Sequence, residues 1–169
     1  VSAKLFDGDT DAWFHHAENV GDRYWFLSFH GKLTELNLGG AAPQLLRTQD
    51  LANAAEQKAG WRPGGYQNFA VDPSGRWLVA GVHPGGKEGS HKAPAAKLWV
   101  HDLQSGKRAA TLPGAGVLSL TFSGNGQRLM ALDGEKGALH SWSWNAGKLR
   151  KLAYVPGAGE ASLHLESHD

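Results

Sequence analysis

Histidines and carboxylates set close together are the side chains most able to bind a metal or move a proton. His15 and His16 are adjacent, with Glu18 two residues on. Neighbouring positions of a strand point to opposite faces, so a single ion could not readily use both imidazoles. Asp7, Asp9 and Asp11 alternate beside Gly8 and offer oxygens of the kind calcium accepts; a calcium loop is set aside on the expectation that no bidentate Glu follows at loop spacing. His83, His91 and Lys92 lie in or beside one stretch, Val82–Ala96, rich in Gly, Pro, His and Lys. Loops concentrate functional residues, so His91 and Lys92 are candidates for meeting a partner, with a solvated loop as the plainer alternative. The chain has no cysteine, which removes thiolate metal sites and disulfides. It has no Gly-x-Ser-x-Gly elbow, no phosphate-binding loop and no dinucleotide fingerprint. No metal-ligating residue is assigned.

The run Gly60-Trp-Arg-Pro-Gly-Gly-Tyr-Gln67 is the strongest local feature. Trp61, Arg62 and Tyr66 are residue types enriched where proteins grip one another. Pro63, Gly64 and Gly65 would set them on a stiff turn with close backbone approach. Two readings stay open: a docking turn, or a Trp61 plug between elements with Arg62 packed on it. The candidate interface is accordingly Trp61, Arg62, Tyr66, His91 and Lys92. Trp25, Trp77, Trp99, Trp142 and Trp144 fall in apolar runs and read as packing residues.

The elements that must position these residues repeat. Phe69–Ala80 aligns on Leu120–Ala131 without a gap, at an offset of 51 residues. Each copy reads as strand, tight turn, strand, the turns being Asp72–Gly75 and Ser123–Gly126. Lys97–Lys107 aligns on Ala138–Lys148 as a second hairpin, turning at Ser105-Gly106 and Ala146-Gly147. An earlier copy places Gly21 on Gly75 and Lys32–Leu38 on Lys97–Leu103. A four-stranded antiparallel unit recurring at roughly 40–55 residues is a β-propeller blade. The fold class is thus all-β, with about three blades spanning 13–47, 66–113 and 117–156. A further alternating stretch at 160–166 looks like a closing strand. Between the first two units, Asp50–Ala59 carries good helix formers, with Asp50 as the expected N-cap and Gly60 as the stop.

The 169 residues include 23 glycines and 7 tryptophans, and carry a net charge of +1 with no run of like charges. A phosphate-backbone binder needs a basic face that this composition lacks. No apolar stretch approaches the roughly 20 residues of a membrane span. The amino-terminal residues do not read as a signal peptide, although a mature secreted chain could begin this way. Three blades leave two apolar faces open, and closed propellers have about 4–8 blades. A larger parent, or two copies joined in one disc, is expected.

The Trp-Arg-Pro-Gly-Gly run, with Trp13-Phe14-His15 upstream, resembles the heavy subunit of quinoprotein amine dehydrogenases of the methylamine and aromatic amine type. Phe29-His30-Gly31-Lys32, His91-Lys92-Ala93 and the terminal Leu165–Asp169 fit the same family in order and spacing. The resemblance covers the carboxy-terminal half or so of such a subunit. It implies part of a seven-bladed, periplasmic propeller with no cofactor of its own, whose residues near the quinone site lie mainly in the half not represented here, so no catalytic or cofactor-binding residue is assigned in this chain. It implies a small partner subunit bearing tryptophan tryptophylquinone in a two-plus-two assembly. That assembly would oxidise primary amines to aldehyde and ammonia and pass electrons to a cupredoxin. The alternative is a stand-alone propeller that serves as an interaction module without enzymatic activity.

Overall fold

The computed structural model describes residues 14–64, 67–84, 95–134 and 136–156. Four antiparallel strands in chain order, β1 (Phe14–Val20), β2 (Arg23–Ser28), β3 (Lys32–Asn37) and β4 (Gln44–Asp50), make one sheet. A short helix, α1 (Ala54–Lys58), and a two-residue strand, β5 (Arg62–Pro63), lead to the second group. That group holds β6 (Phe69–Val71), β7 (Trp77–His83), β8 (Ala95–Asp102) and the first half of β9 (Lys107–Phe122). The second half of β9 begins a third group, completed by β10 (Arg128–Asp133), β11 (Ala138–Asn145) and β12 (Lys148–Val155). These are propeller blades. The stretch 160–166 lies outside the described residues.

The repeated turns share their hydrogen bonds as well as their spelling. The amide of Asp72 donates to the carbonyl of Trp77, and that of Ser123 to the carbonyl of Arg128, both at 2.9 Å. Gly75 and Gly126 take positive φ, 69° and 67°, a conformation that costs glycine little. The side chains of Asp72 and Ser123 then accept from the amides of Arg76 and Arg128.

Strand alternation sends each blade's side chains to two neighbours. In the middle blade, Phe69, Val71, Leu78, Ala80, Val82 and Trp99 face the first blade, where Trp25, Leu27, Leu33 and Leu51 meet them. Ala70, Val79, Leu98 and Val100 face the third blade and pack on Leu120, Leu129, Ala131, Trp142 and Trp144. The cores therefore lie between blades, and each fully buried large apolar side chain contributes about 1.5–3 kcal/mol. The leading strands sit side by side. His16 meets Phe69 edge-on with ring centroids 5.4 Å apart, and Gln67 bridges Ser119 in parallel.

The second and third blades share β9. Lys97 pairs with Pro113 and Ala95 with Val117, so β9 carries a bulge between those pairs. Gly114 sits in that bulge, where a Cβ would come within 2.5 Å of the Ala95 carbonyl oxygen.

The helix begins later than its sequence implied. Asp50 belongs to β4, opposite Lys32, and Leu51 and Ala52 are buried. The N-cap is Asn53, which forms a capping box with Glu56. Burying two apolar residues and completing the ladder outweighs the cap that Asp50 could have supplied.

Candidate functional site

The two motifs named apart in the sequence, Phe29–Lys32 and Gly60–Gly64, meet at the junction of the first two blades. Ser28 and Gly31 close the β2–β3 turn, with Gly31 at φ 87°. The amide of Leu51 donates to the Gly31 carbonyl, which draws the end of β4 against this turn. The helix ends at Ala59, and Gly60 at φ 76° turns the chain toward the sheet. There Arg62 and Pro63 pair with His83 and Val82 of β7. The Pro63 ring passes 3.5 Å from where a Cβ of Gly31 would stand.

An open cleft of about 300 Å³ results. His30 and Lys32 line it from the β2–β3 turn and Asp50 from the end of β4, with Gln57 and Gly60 at the helix terminus. Trp61 and Arg62 form the remaining wall. Trp61 is half-buried, packed against the first core with its ring centroid 6.1 Å from that of Trp99. Lys97 places its ammonium 4.3 Å from the Trp61 ring centroid. The guanidinium of Arg62 lies 5.2 Å over the ring of Phe29, not over Trp61. Each of these is a cation on an aromatic face. Burial pushes the imidazole of His83 below its usual range, and the nearby Arg62 charge adds to that; the Pro84 carbonyl acts in the opposite sense.

Behind the cleft a second cluster fixes the helix. Arg108 of β9 donates to both carboxylate oxygens of Glu56, at 2.5 and 2.7 Å, and to the Leu51 carbonyl at 2.9 Å. This bond holds the Glu56 carboxyl below the usual carboxylate range, against the effect of its burial. His101 stands beside this pair, 3% exposed, with neither ring nitrogen hydrogen-bonded.

A groove of about 310 Å³ separates the second and third blades, between Leu112 and Pro113 on one side and His140, Trp142, Leu149 and Lys151 on the other. His140 lies nearly parallel to Trp142, 16° between planes, with the Asp133 carboxylate 3.7 Å away. Burial holds the His140 imidazole below its ordinary value, Lys151 adds to this, and Asp133 opposes it.

Of the candidate interface residues, the structure brings Trp61 and Arg62 together. Tyr66, His91 and Lys92 lie outside the described residues, as do Asp7, Asp9 and Asp11. Glu18, eleven residues after Asp7, holds the place of the last ligand in a twelve-residue calcium loop. It lies in β1 opposite Trp25, with its carboxylate on His16. Among the described residues no group of three or more His, Asp or Glu could hold a metal ion. No helix among them is long and apolar enough to cross a membrane. The described tryptophans serve the cores between blades or the cleft wall. Sequence reading missed Asp50, Gln57 and Lys97. Lys97 carried a signal, because it opens an aligned hairpin next to Trp99.

The family model for the methylamine dehydrogenase heavy chain matches residues 1–162. The methylamine dehydrogenase heavy chain of Methylorubrum extorquens is 33% identical over 82 residues, which are 48% of this chain and 20% of that protein. The chain thus matches only a fifth of that relative's length. A solved Bacteroides fragilis structure superposes with a TM-score of 0.59 at 12% identity, over 83% of this chain and 38% of its own. The β-propeller domain of Myceliophteria thermophila Swd1 gives 0.56 at 10% identity, over 79% and 40%. At such identity the solved structures establish the fold alone.

Proposed function

The chain belongs to the methylamine dehydrogenase heavy-chain family, and from that premise we propose that it is part of the non-catalytic scaffold of an amine dehydrogenase. In this reading it is a portion of a seven-bladed propeller that works in the periplasm. It holds a small subunit carrying tryptophan tryptophylquinone in a two-plus-two assembly. The assembly oxidises a primary amine to aldehyde and ammonia and hands electrons to a cupredoxin. The quinone belongs to the partner and supplies the redox chemistry there. This chain contributes rigid surface: cores locked between blades, and a cleft whose walls are fixed by Pro63, the capping box and the Arg108–Glu56 pair.

The observation that carries the reading is the family match over residues 1–162. The meeting of Phe29–Lys32 with Gly60–Gly64 in one cleft supports it, because two separate pieces of the family resemblance build a single surface. The test is purification from the native source under mild conditions. Co-purification of a small chain with quinone absorbance, and amine-dependent reduction of a dye, is expected. A chain isolated alone, with neither property, would overturn the reading in favour of a stand-alone interaction module.

A further inference from the structure

We infer that the cleft at Trp61 and Arg62 receives a carboxylate-bearing segment of the small subunit, gripped by Arg62 and Lys97. This rests on the scaffold reading above. Arg23, Arg47, Arg76 and Arg108 each hold a carboxylate of this chain. Arg62 and Lys97 hold none among the described residues; their charges rest on the faces of Phe29 and Trp61 instead. An aromatic face attracts a cation without neutralising it. A guanidinium held over a ring makes no hydrogen bond to it, so its N–H donors remain for a planar acceptor, and a carboxylate matches that fork.

The surroundings select for an acid. Among the described residues Asp50 is the one carboxylate lining the cleft, and it stands directly opposite Lys32 in the β3–β4 ladder. Arg62 and Lys97 therefore leave the cleft and its edge net positive. The volume, about 300 Å³, is at the bottom of the range for small-molecule pockets. With a wall of mainly polar groups, it suits one or two protruding side chains of a docked protein. Trp61 supplies the apolar anchor beside the charge, a pairing common at the centre of protein interfaces.

The rigidity of the cleft favours such a role. Pro63 fixes the backbone after Arg62, Gly31 packs on its ring, and the helix behind is capped at one end and clamped by Arg108. Little side-chain or loop ordering is then left to occur on binding, which is where preorganised interfaces gain affinity.

The test measures binding of the full 169-residue chain to small subunit separated from the native complex. It uses the wild type, Arg62→Glu, Arg62→Lys and Lys97→Glu, each at low and high salt. Melting temperatures are recorded alongside. Arg62→Glu is expected to weaken binding roughly 30-fold or more, as loss of a desolvated charge pair does, and Lys97→Glu roughly threefold to tenfold. Arg62→Lys should fall between wild type and Arg62→Glu. The wild type should lose affinity with salt more steeply than either charge-reversed variant. Wild-type binding that Arg62→Glu and Lys97→Glu leave unchanged overturns the inference while the subunit reading stands. No binding by the wild type overturns both. Self-association of the chain that Arg62→Glu abolishes would assign the cleft to a second copy and overturn the inference. Lys97 is exposed, so its variant answers the question even if Arg62→Glu fails to fold.

Discussion

Arg108 lies 3.7 Å above the ring centroid of Trp99. From there it donates to both oxygens of Glu56, so a residue of the second blade holds the helix that follows the first. Removing it should therefore act across the junction. Arg108→Ala is expected to destabilise the chain by about 2 kcal/mol, combining a partly buried ion pair with a stacked cation. Arg108→Lys keeps the charge but loses the fork, and should recover less than half of that. Urea unfolding of the two variants checks this; equal stability to wild type would deny the clamp.

His101 gives the junction a pH dependence. Burial, and then the neighbouring Arg108, push its pKa down to about 4, against about 6.5 in an unfolded chain. Above pH 6.5 the imidazole is neutral in both states and adds no pH dependence. As pH falls from 6.5 toward 4 the unfolded chain takes up the proton first, so folding stability declines, by about 3 kcal/mol over that window. His83 and His140, also shifted down, act with the same sign. His101→Phe should flatten the slope of stability against pH between 6.5 and 4.5 without removing it. Denaturation at matched pH values would show this.

Glu35 is 1% exposed and receives Arg23 and Arg47, the latter also donating to the Leu103 carbonyl of the next blade. The arginines reach solvent and the glutamate does not. Loss of both arginines strands a buried charge and should cost about 3–5 kcal/mol. Glu35→Leu frees two arginines that can turn outward and should cost less than half as much. Thermal melts of Arg23→Ala/Arg47→Ala and of Glu35→Leu decide; the reverse order would contradict this account.

Glycines differ in what they tolerate. Gly21 takes φ 57° but has nothing within 4 Å of a Cβ position, whereas a Cβ on Gly114 would run into the backbone of Ala95, Ala96 and Lys97. Gly21→Ala should cost about 1 kcal/mol for its backbone conformation alone. Gly114→Ala has no flexible side chain to displace and should cost at least twice as much. Paired unfolding curves test the ratio.

The blade repeat was legible because turn chemistry is local. Gly75 and Gly126 could be matched by eye, and they adopt the same φ within a few degrees. The helix was legible as a helix, but its start was not. Asp50 and Asn53 are both good caps, and the choice fell to Asn53 because Asp50 pairs with Lys32 in the ladder. The cleft was half legible. Trp61 and Arg62 stood out by type, but Asp50 enters only through the pairing of β4 with β3. Arg108 and Glu56, 52 residues apart, meet through the packing of one blade on another. No spacing rule reaches that far.

β9 gives two blades one backbone, whereas the first sheet meets them through side chains and a connecting segment. A break in the bulge at Gly114 would leave each of these blades a ladder of four, because Lys107–Pro113 pairs with β8 and the stretch from Val117 to Phe122 with β10, but it would cut the strand that runs from one blade into the next. The first blade has its own complete ladder of four. The linker 51–61 is thus the natural joint at which a disc of this kind can gain or shed a unit in the course of its descent, with no hydrogen-bonded edge torn.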